Sequence, residues 1–286
     1  MKKILVTGAT GFIGNYVIEQ LLLNNNCHVI ATSSNSQKAQ LTSWYDKVDY
    51  LPFNLKEFDN NVNYFEFFNQ PDLLIHLAWE GLPNYKADFH VNENLPRHFI
   101  FIKNLIDHGL KDITVTGTCF EYGMQEGELS ELIEPKPTNS YSIAKDTLRK
   151  KIAHLQLQDN INFKWVRLFY MYGSGQSPNS LLSQLDRSLS MNEPIFNMSG
   201  GEQERDYLPV EEVAANIINI ALQQTVTGII NCCSGNPIKV KDFVINYLQT
   251  KNKYIQLNLG YYPYVDYEPM SFWGNNKKLK TILNNE

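Results

Sequence analysis

The sequence predicts an α/β protein in which a doubly wound parallel sheet is followed by a smaller C-terminal lobe. Three observations predict it. Short runs rich in Val, Ile and Leu alternate with helix-length segments as far as residue 169, the rhythm of parallel strands buried on both faces and joined by crossover helices. A glycine-rich turn directly follows the first of those runs. After about residue 170 the alternation gives way to loops bearing glycine, serine and proline, with shorter elements between them.

The first strand is Ile4 to Val6, and Gly8-x-x-Gly11-x-x-Gly14 follows it, with apolar residues at helical spacing from Asn15 to Leu23. One glycine suits unusual dihedrals and another lets the backbone approach a ligand closely. The helix start offers free N–H groups and a positive dipole end to a pyrophosphate. Between a strand and a helix, this spacing reads as a Rossmann-like dinucleotide site, with Gly8, Thr10, Gly11, Phe12 and Ile13 at the cofactor; a plain strand-to-helix turn is the alternative. Asn24-Asn25-Asn26 reads as a loop leading to a second strand, Cys27–Thr32. Further strands are expected at Val48–Phe53, Leu73–Ala78, Asp112–Thr116 and Phe163–Phe169. Helices are expected at Asp88–His108, stopped by Gly109, and at Ser140 to Gln158. Between the last two strands runs a polar loop through Pro135-Lys136-Pro137.

Residues 1–169 thus read as a dinucleotide-binding domain. Residues 170–286 read mainly as a substrate-binding lobe, with segments near 207–233 returning to the first domain. The lobe's expected elements are a loop at Gly173–Pro178, helices at Asn179–Ser190, at Glu211–Gln223 and from about Val240, and a strand at Gly228–Cys232. An aromatic tail, Tyr261 to Trp273, is expected to cover a hydrophobic lobe. No internal repeat is present.

Composition narrows the class. A chain of 286 residues with net charge −5 and no Lys/Arg-rich run is not a non-specific nucleic-acid binder. Lys2 and Lys3 precede only a few apolar residues before Gly8, unlike a signal peptide, and no apolar stretch approaches the ~20 residues of a membrane span. Cys27, Cys119, Cys232 and Cys233 show no C-x-x-C spacing, which suits neither a disulfide framework nor zinc. A cytoplasmic, metal-free enzyme is the expectation.

The chemistry centres on Tyr141 and Lys145, four apart at a helix start and so on one face. An ammonium beside a phenol lowers its pKa and makes it an acid or base for proton transfer. Thr118, past the fifth strand, offers a hydroxyl to the same substrate oxygen. Ligands of open α/β sheets sit at the carboxyl ends of the strands, where Gly8, Ala78, Thr118 and Tyr170 should converge. His76, inside a strand, reads as a satisfied structural group; Trp79 and Tyr85, just beyond the fourth strand, read as lining the substrate site.

Thr7-Gly8-Ala9-Thr10-Gly11-Phe12-Ile13-Gly14, His76-Leu77-Ala78, Thr118 with Tyr122-Gly123, Tyr141-x-x-x-Lys145, Val166-Arg167-Leu168 with Tyr172-Gly173, and Arg205-Asp206-Tyr207 together resemble the extended short-chain dehydrogenase/reductases, over residues 4 to about 215. The resemblance implies a nicotinamide cofactor, a nucleotide-diphosphate sugar as substrate, and a catalytic triad of Thr118, Tyr141 and Lys145. It also implies that Lys145 holds the nicotinamide ribose and that Arg205 grips the diphosphate, as a bidentate guanidinium can. The cofactor is expected against Ser33, Ser34, Lys38, Asn54, Leu55, Leu77, Ala78, Trp79 and Tyr170, and the sugar against Trp79, Cys119 and Phe120. Helices near 88–108 and 140–158 resemble the family's dimerisation helices, so a homodimer is expected.

Departures from the family pattern select the reaction. Dehydratases of this kind carry an Asp-Glu pair after the catalytic threonine, and Cys119 and Phe120 stand there instead. Cys119 is also one place from the cysteine of double epimerases. Glu121 reads as a solvated loop carboxylate. What remains is transfer of one hydride and one proton, most like reductases of nucleotide-linked 4-keto-6-deoxy sugars, with a dTDP sugar and surface polysaccharide as the implied context. A C4 epimerase with tightly bound NAD is the alternative, and a non-catalytic cofactor sensor a more distant one. The second strand ends in Thr32-Ser33-Ser34-Asn35 near Lys38, without a carboxylate for ribose hydroxyls, so NADP(H) is favoured over NAD(H).

Overall fold

The computed structural model describes residues 1–24 and 26–284; Asn25, in the predicted asparagine loop, lies outside them. As far as residue 168 the chain contains β1 (Lys2–Thr7), α1 (Phe12–Leu21), β2 (Cys27–Thr32), α2 (Ser36–Gln40), β3 (Asp49–Tyr50), α3 (Tyr64–Phe67), β4 (Leu73–His76), α4 (Leu95–Asp107), β5 (Asp112–Thr118), β6 (Gly127–Leu129), α5 (Ser140–Asp159) and β7 (Asn162–Leu168). Beyond it run β8 (Tyr170–Tyr172), α6 (Leu181–Ser190), β9 (Ile195–Asn197), β10 (Glu204–Pro209), α7 (Val210–Leu222), β11 (Gly228–Cys232), β12 (Pro237–Lys239), α8 (Val240–Thr250), β13 (Gln256–Asn258), β14 (Phe272–Gly274) and α9 (Lys277–Leu283). Among the described residues no helix is long and apolar enough to cross a membrane.

Seven strands form one sheet in the order β11-β7-β5-β4-β1-β2-β3, all parallel. Successive side chains of a strand point to opposite faces, and the two faces carry separate cores. Ile4 and Val6 join Val17, Ile18, Ile217 and Ala221 of α1 and α7 on one side. Leu5 joins Phe101, Leu105, Leu148 and Ile152 of α4 and α5 on the other. Strands buried on both faces explain the unbroken apolar runs. The order reverses beside β1, so the loops after β1 and β4 flank the crevice where such sheets take ligands.

Three elements differ from expectation for local reasons. The third strand shrinks to Asp49–Tyr50 at the sheet edge, although Leu51 and Phe53 still donate to the carbonyls of Ala31 and Ser33 (3.0 and 3.2 Å); Pro52 between them stands where an edge strand tolerates proline. The helix expected from Asp88 opens with a widened turn, His90–Asn94, and becomes α-helical only at Leu95, because Pro96 cannot donate back to the preceding turn. Its end follows the sequence: Gly109, at φ 128°, closes a Schellman motif in which Leu110 N–H reaches the Leu105 carbonyl (2.9 Å) and Gly109 N–H that of Ile106 (3.1 Å). The aromatic tail is divided. Phe272 is buried with Phe169 and Cys233, whereas Tyr261 and Tyr262 are exposed.

Candidate active site

The glycine turn is built as the spacing requires. Gly8 lies at φ 70°, and a Cβ there would stand 2.8 Å from the Ala78 nitrogen, so the loops after β1 and β4 touch through backbone alone. A Cβ on Gly14 would collide with the Gly8 carbonyl. Helix α1 starts at Gly11 with no side-chain cap, which leaves its first N–H groups open to an anion. Gly8, Thr10, Gly11, Ser33, Ser34, Leu55, Leu77, Ala78 and Trp79 line one cleft. This uncapped cradle fits a dinucleotide pyrophosphate.

At the far end of that cleft the features expected to favour a 2′-phosphate are not gathered. The Ser33 hydroxyl is hydrogen-bonded to the Tyr50 hydroxyl (2.9 Å). Lys38 is exposed on α2, and its N–H is spent on the Asn35 cap (2.8 Å). The Asn54 side chain caps its own turn at Lys56 (3.1 Å) and donates to Glu57 (3.1 Å). Of these four residues, Ser33 and Ser34 line the cleft whereas Lys38 and Asn54 do not.

A second cleft shares Gly8, Gly11, Leu77 and Trp79 with the first and adds Phe12, Ile13, Tyr85, Thr118, Cys119, Phe120, Tyr141, Lys145 and Tyr170. Two elements, β5 and α5, bring Thr118, Tyr141 and Lys145 together. Thr118 ends β5. Helix α5 is started by Asn139, whose side chain accepts from Ser142 N–H (2.9 Å), and Tyr141 N–H donates to the Tyr85 carbonyl (3.0 Å). Tyr141 and Thr118 line the same cleft. Burial, with Tyr85 and Glu121 nearby, pushes the Tyr141 phenol well above its ordinary range. The proton is therefore held on Tyr141 in the free protein: burial outweighs the lowering expected of a neighbouring ammonium. Lys145 is itself buried, which lowers it to about 8 against the pull of Glu121 and Glu80.

Aromatic rings surround this lysine. Its Nζ lies 4.5 Å from the Trp79 ring centre and 5.5 Å from that of Trp165. Trp79 stacks on His98 at 4.5 Å. His98 is hydrogen-bonded to Glu80 (3.0 Å) and to His76 (2.7 Å), and His76 to Thr7 (2.8 Å). Burial drives His76 well below its ordinary pKa, and its partners make it the satisfied structural group expected.

Glu121 is a correction. It is fully buried, not solvated, and closes a capping box on Thr118: Thr118 N–H donates to its Oε1 (2.9 Å). Trp165 Nε1 donates to the same carboxylate (2.9 Å), and Arg167 Nε does so at 2.7 Å. The signal was present as Thr118-x-x-Glu121. Arg205 is 2% exposed and lines neither cleft directly. Its Nη2 and Nε donate to Glu268 Oε2 (3.0 and 3.3 Å), which also receives the Tyr170 hydroxyl (2.7 Å). Tyr267 places its ring 5.9 Å from that of Tyr85 and 6.4 Å from that of Phe120. No local pattern announced Tyr267 or Glu268, since their partners lie far away in sequence.

A match to the family described as "NAD dependent epimerase/dehydratase family" spans residues 4–233, the turn, the triad and β11 included. The chain belongs to that family. It is 27% identical over 273 residues, 95% of this chain and 99% of the relative, to "dTDP-6-deoxy-L-talose 4-dehydrogenase (NAD(+))" of Aggregatibacter actinomycetemcomitans. It is 26% identical, over 82% of this chain and 74% of the relative, to "GDP-6-deoxy-D-talose 4-dehydrogenase" of the same organism. In fold it is similar to UDP-glucuronic acid 4-epimerase from Bacillus cereus, solved with UDP-glucuronic acid and NAD: TM-score 0.82 at 21% identity, covering 99% of this chain and 93% of that one. The chain is thus an NAD-dependent enzyme of the epimerase/dehydratase type.

Proposed function

We propose that this enzyme reduces the C4 ketone of a nucleoside-diphospho-4-keto-6-deoxy sugar with NADH, Thr118, Tyr141 and Lys145 forming its catalytic triad. The observation that carries the reading is the makeup of the cleft floor. Besides the triad it holds Cys119, whose thiol burial keeps well above its ordinary pKa, and Phe120. No group there is fitted to pull a second proton from the sugar, so elimination and double epimerisation lack their base.

The cofactor supplies the hydride to C4 when bound. Thr118 donates a hydrogen bond to O4, and Tyr141, held protonated, gives its proton to the oxygen as charge develops there. Lys145 holds the ribose and restores the Tyr141 proton. Leu82, Pro83, Tyr85 and Phe120 make the adjoining wall apolar and aromatic, suited to a C6 methyl and hostile to a C6 carboxylate. Arg205 takes the diphosphate in competition with Glu268. The relative named a dTDP-6-deoxy-L-talose 4-dehydrogenase would run the same step in reverse, which supports a dTDP-linked substrate; conversion of dTDP-4-dehydro-6-deoxyglucose to dTDP-fucose, for surface polysaccharide, is the specific reaction we put forward. Ile100 and Ile143, each about 40% exposed on α4 and α5, support a homodimer through those helices.

The test is a panel of dTDP-, GDP- and CDP-4-keto-6-deoxy sugars with NADH and NADPH, following absorbance loss and identifying products by NMR. Stoichiometric NADH oxidation giving a 4-hydroxy sugar is the expected result. Interconversion of two 4-hydroxy sugars without net cofactor oxidation would make the enzyme an epimerase instead. Absence of either reaction would sink the proposal.

A further inference from the structure

We propose that Glu121 is a positioning residue of this active site: its carboxylate, buried under the cleft floor, fixes the Thr118 backbone and supplies the fixed anion that Lys145 and Tyr141 face. The inference rests on the triad assignment above.

The carboxylate receives four hydrogen bonds from three donors. Thr118 N–H and Trp165 Nε1 reach Oε1, and Trp165 Nε1 and Arg167 Nε reach Oε2, all between 2.7 and 3.1 Å. The first locks the last residue of β5 to the turn Cys119–Tyr122 that follows it, so the Thr118 hydroxyl emerges at a set angle. The second reaches across to Lys145, because the indole that donates to Glu121 is the ring lying 5.5 Å from Lys145 Nζ. The backbone has made room: a Cβ on Gly117 would collide with Trp165 Nε1 and crowd the Glu121 carboxylate.

Stability alone is a weak reason for the arrangement. A fully buried ion pair roughly breaks even against apolar residues of the same shape, and Glu121 with Arg167 is such a pair, neither side chain exposed. Lying under Thr118, Tyr141 and Lys145 gives it a purpose that packing does not. Across the site the other groups facing Lys145 are Glu80 after β4, His76 on β4, and His90 and His98 on the opposing helix. Those facing Glu121 are Arg167 on β7, Tyr141 and Lys145 on α5, and Cys119 in its own turn. Of the carboxylates, Glu121 is fully buried, whereas the Glu80 side chain is 41% exposed and partly screened.

The experiment compares Glu121→Gln with wild type in two ways. On the sugar, kcat is expected to fall roughly 10- to 100-fold with cofactor KM within about 2-fold, and the alkaline limb of the pH profile to move about one unit lower, since Lys145 loses its anion while Arg167 stays charged. Independently of turnover, the difference in melting between Lys145 and Lys145→Met proteins, followed across pH in the wild-type and Glu121→Gln backgrounds, reports where Lys145 titrates; that midpoint is expected to drop likewise. If wild type turns over no sugar, the functional reading fails, and the melting series still decides the role of Glu121. A folded Glu121→Gln protein with kcat within about 2-fold of wild type and both midpoints unmoved would overturn the proposal. Should that variant not fold, Glu121→Asp takes its place: charge kept but reach shortened, so lost kcat with an unmoved limb is expected, and full activity would overturn it.

Discussion

Replacing Lys145 by methionine is expected to stabilise the protein while abolishing its chemistry. Burial holds this lysine at about 8 instead of 10.5, so keeping it charged costs about 3 kcal/mol of folding free energy at neutral pH. Methionine fills the space of the aliphatic stem without a charge to desolvate. Against that gain stands the loss of the ammonium over Trp79, worth about 1 kcal/mol. The balance is about 2 kcal/mol, and for a chain of 286 residues the unfolding entropy is about 0.6 kcal/mol per kelvin, giving a rise in Tm of about 3 °C. The sign with pH follows from the direction of the shift. Because the folded-state pKa lies below the unfolded one, the penalty is complete below pH 8, fades between about 8 and 10.5, and vanishes above. Melting curves of both proteins at pH 7 and pH 10 measure this. A variant that melts at or below the wild-type temperature at pH 7, or a gap that ignores pH, would refute the reasoning.

Tyr141→Phe removes the proton donor but keeps the ring; kcat should drop about 10²- to 10⁴-fold with NADH affinity, read by fluorescence titration, nearly unchanged. Arg205→Lys keeps a charge beside Glu268 but loses the planar fork, so KM for the nucleotide sugar should rise about 10-fold while kcat in steady-state assays holds within about 3-fold. Gly117→Ala pushes a methyl into Trp165 and Glu121 and should lower stability by roughly 1–3 kcal/mol in urea denaturation, with kcat falling alongside.

Most of the scaffold was legible because its signals are local. Apolar runs bounded by turn residues placed the strands of the parallel sheet, and Gly8, Gly11 and Gly14 carried their geometry in their spacing. Gly109 named the end of α4 for the same reason. What the sequence hid depends on distant partners. The pKa of Tyr141 follows from how deeply the fold buries it, and a pair of residues on one helix face says nothing of that. Glu121 looks solvated until Arg167 and Trp165, more than forty positions away, are brought beneath it. Arg205 reads as an open anion grip, whereas the chain returns Glu268 to it from the tail. Lys38 stands near Ser33 in sequence, yet α2 carries it out to the surface.

The surroundings of Lys145 follow one principle applied twice. On each of two sides a tryptophan ring faces the ammonium, and each ring is tied to a carboxylate. Trp165 donates directly to Glu121, and Trp79 stacks on His98, which is paired with Glu80. An ammonium in direct contact with a carboxylate would form a tight ion pair and bind its proton too firmly to pass it on. An ammonium with rings alone would lose its charge to desolvation. Indole faces between charge and countercharge give an intermediate attraction, and Lys145 accordingly sits near 8, charged at neutral pH yet able to release a proton to Tyr141. The stability lost by burying it is the counterpart of that property, which is why removing Lys145 should strengthen the fold and end the reaction together.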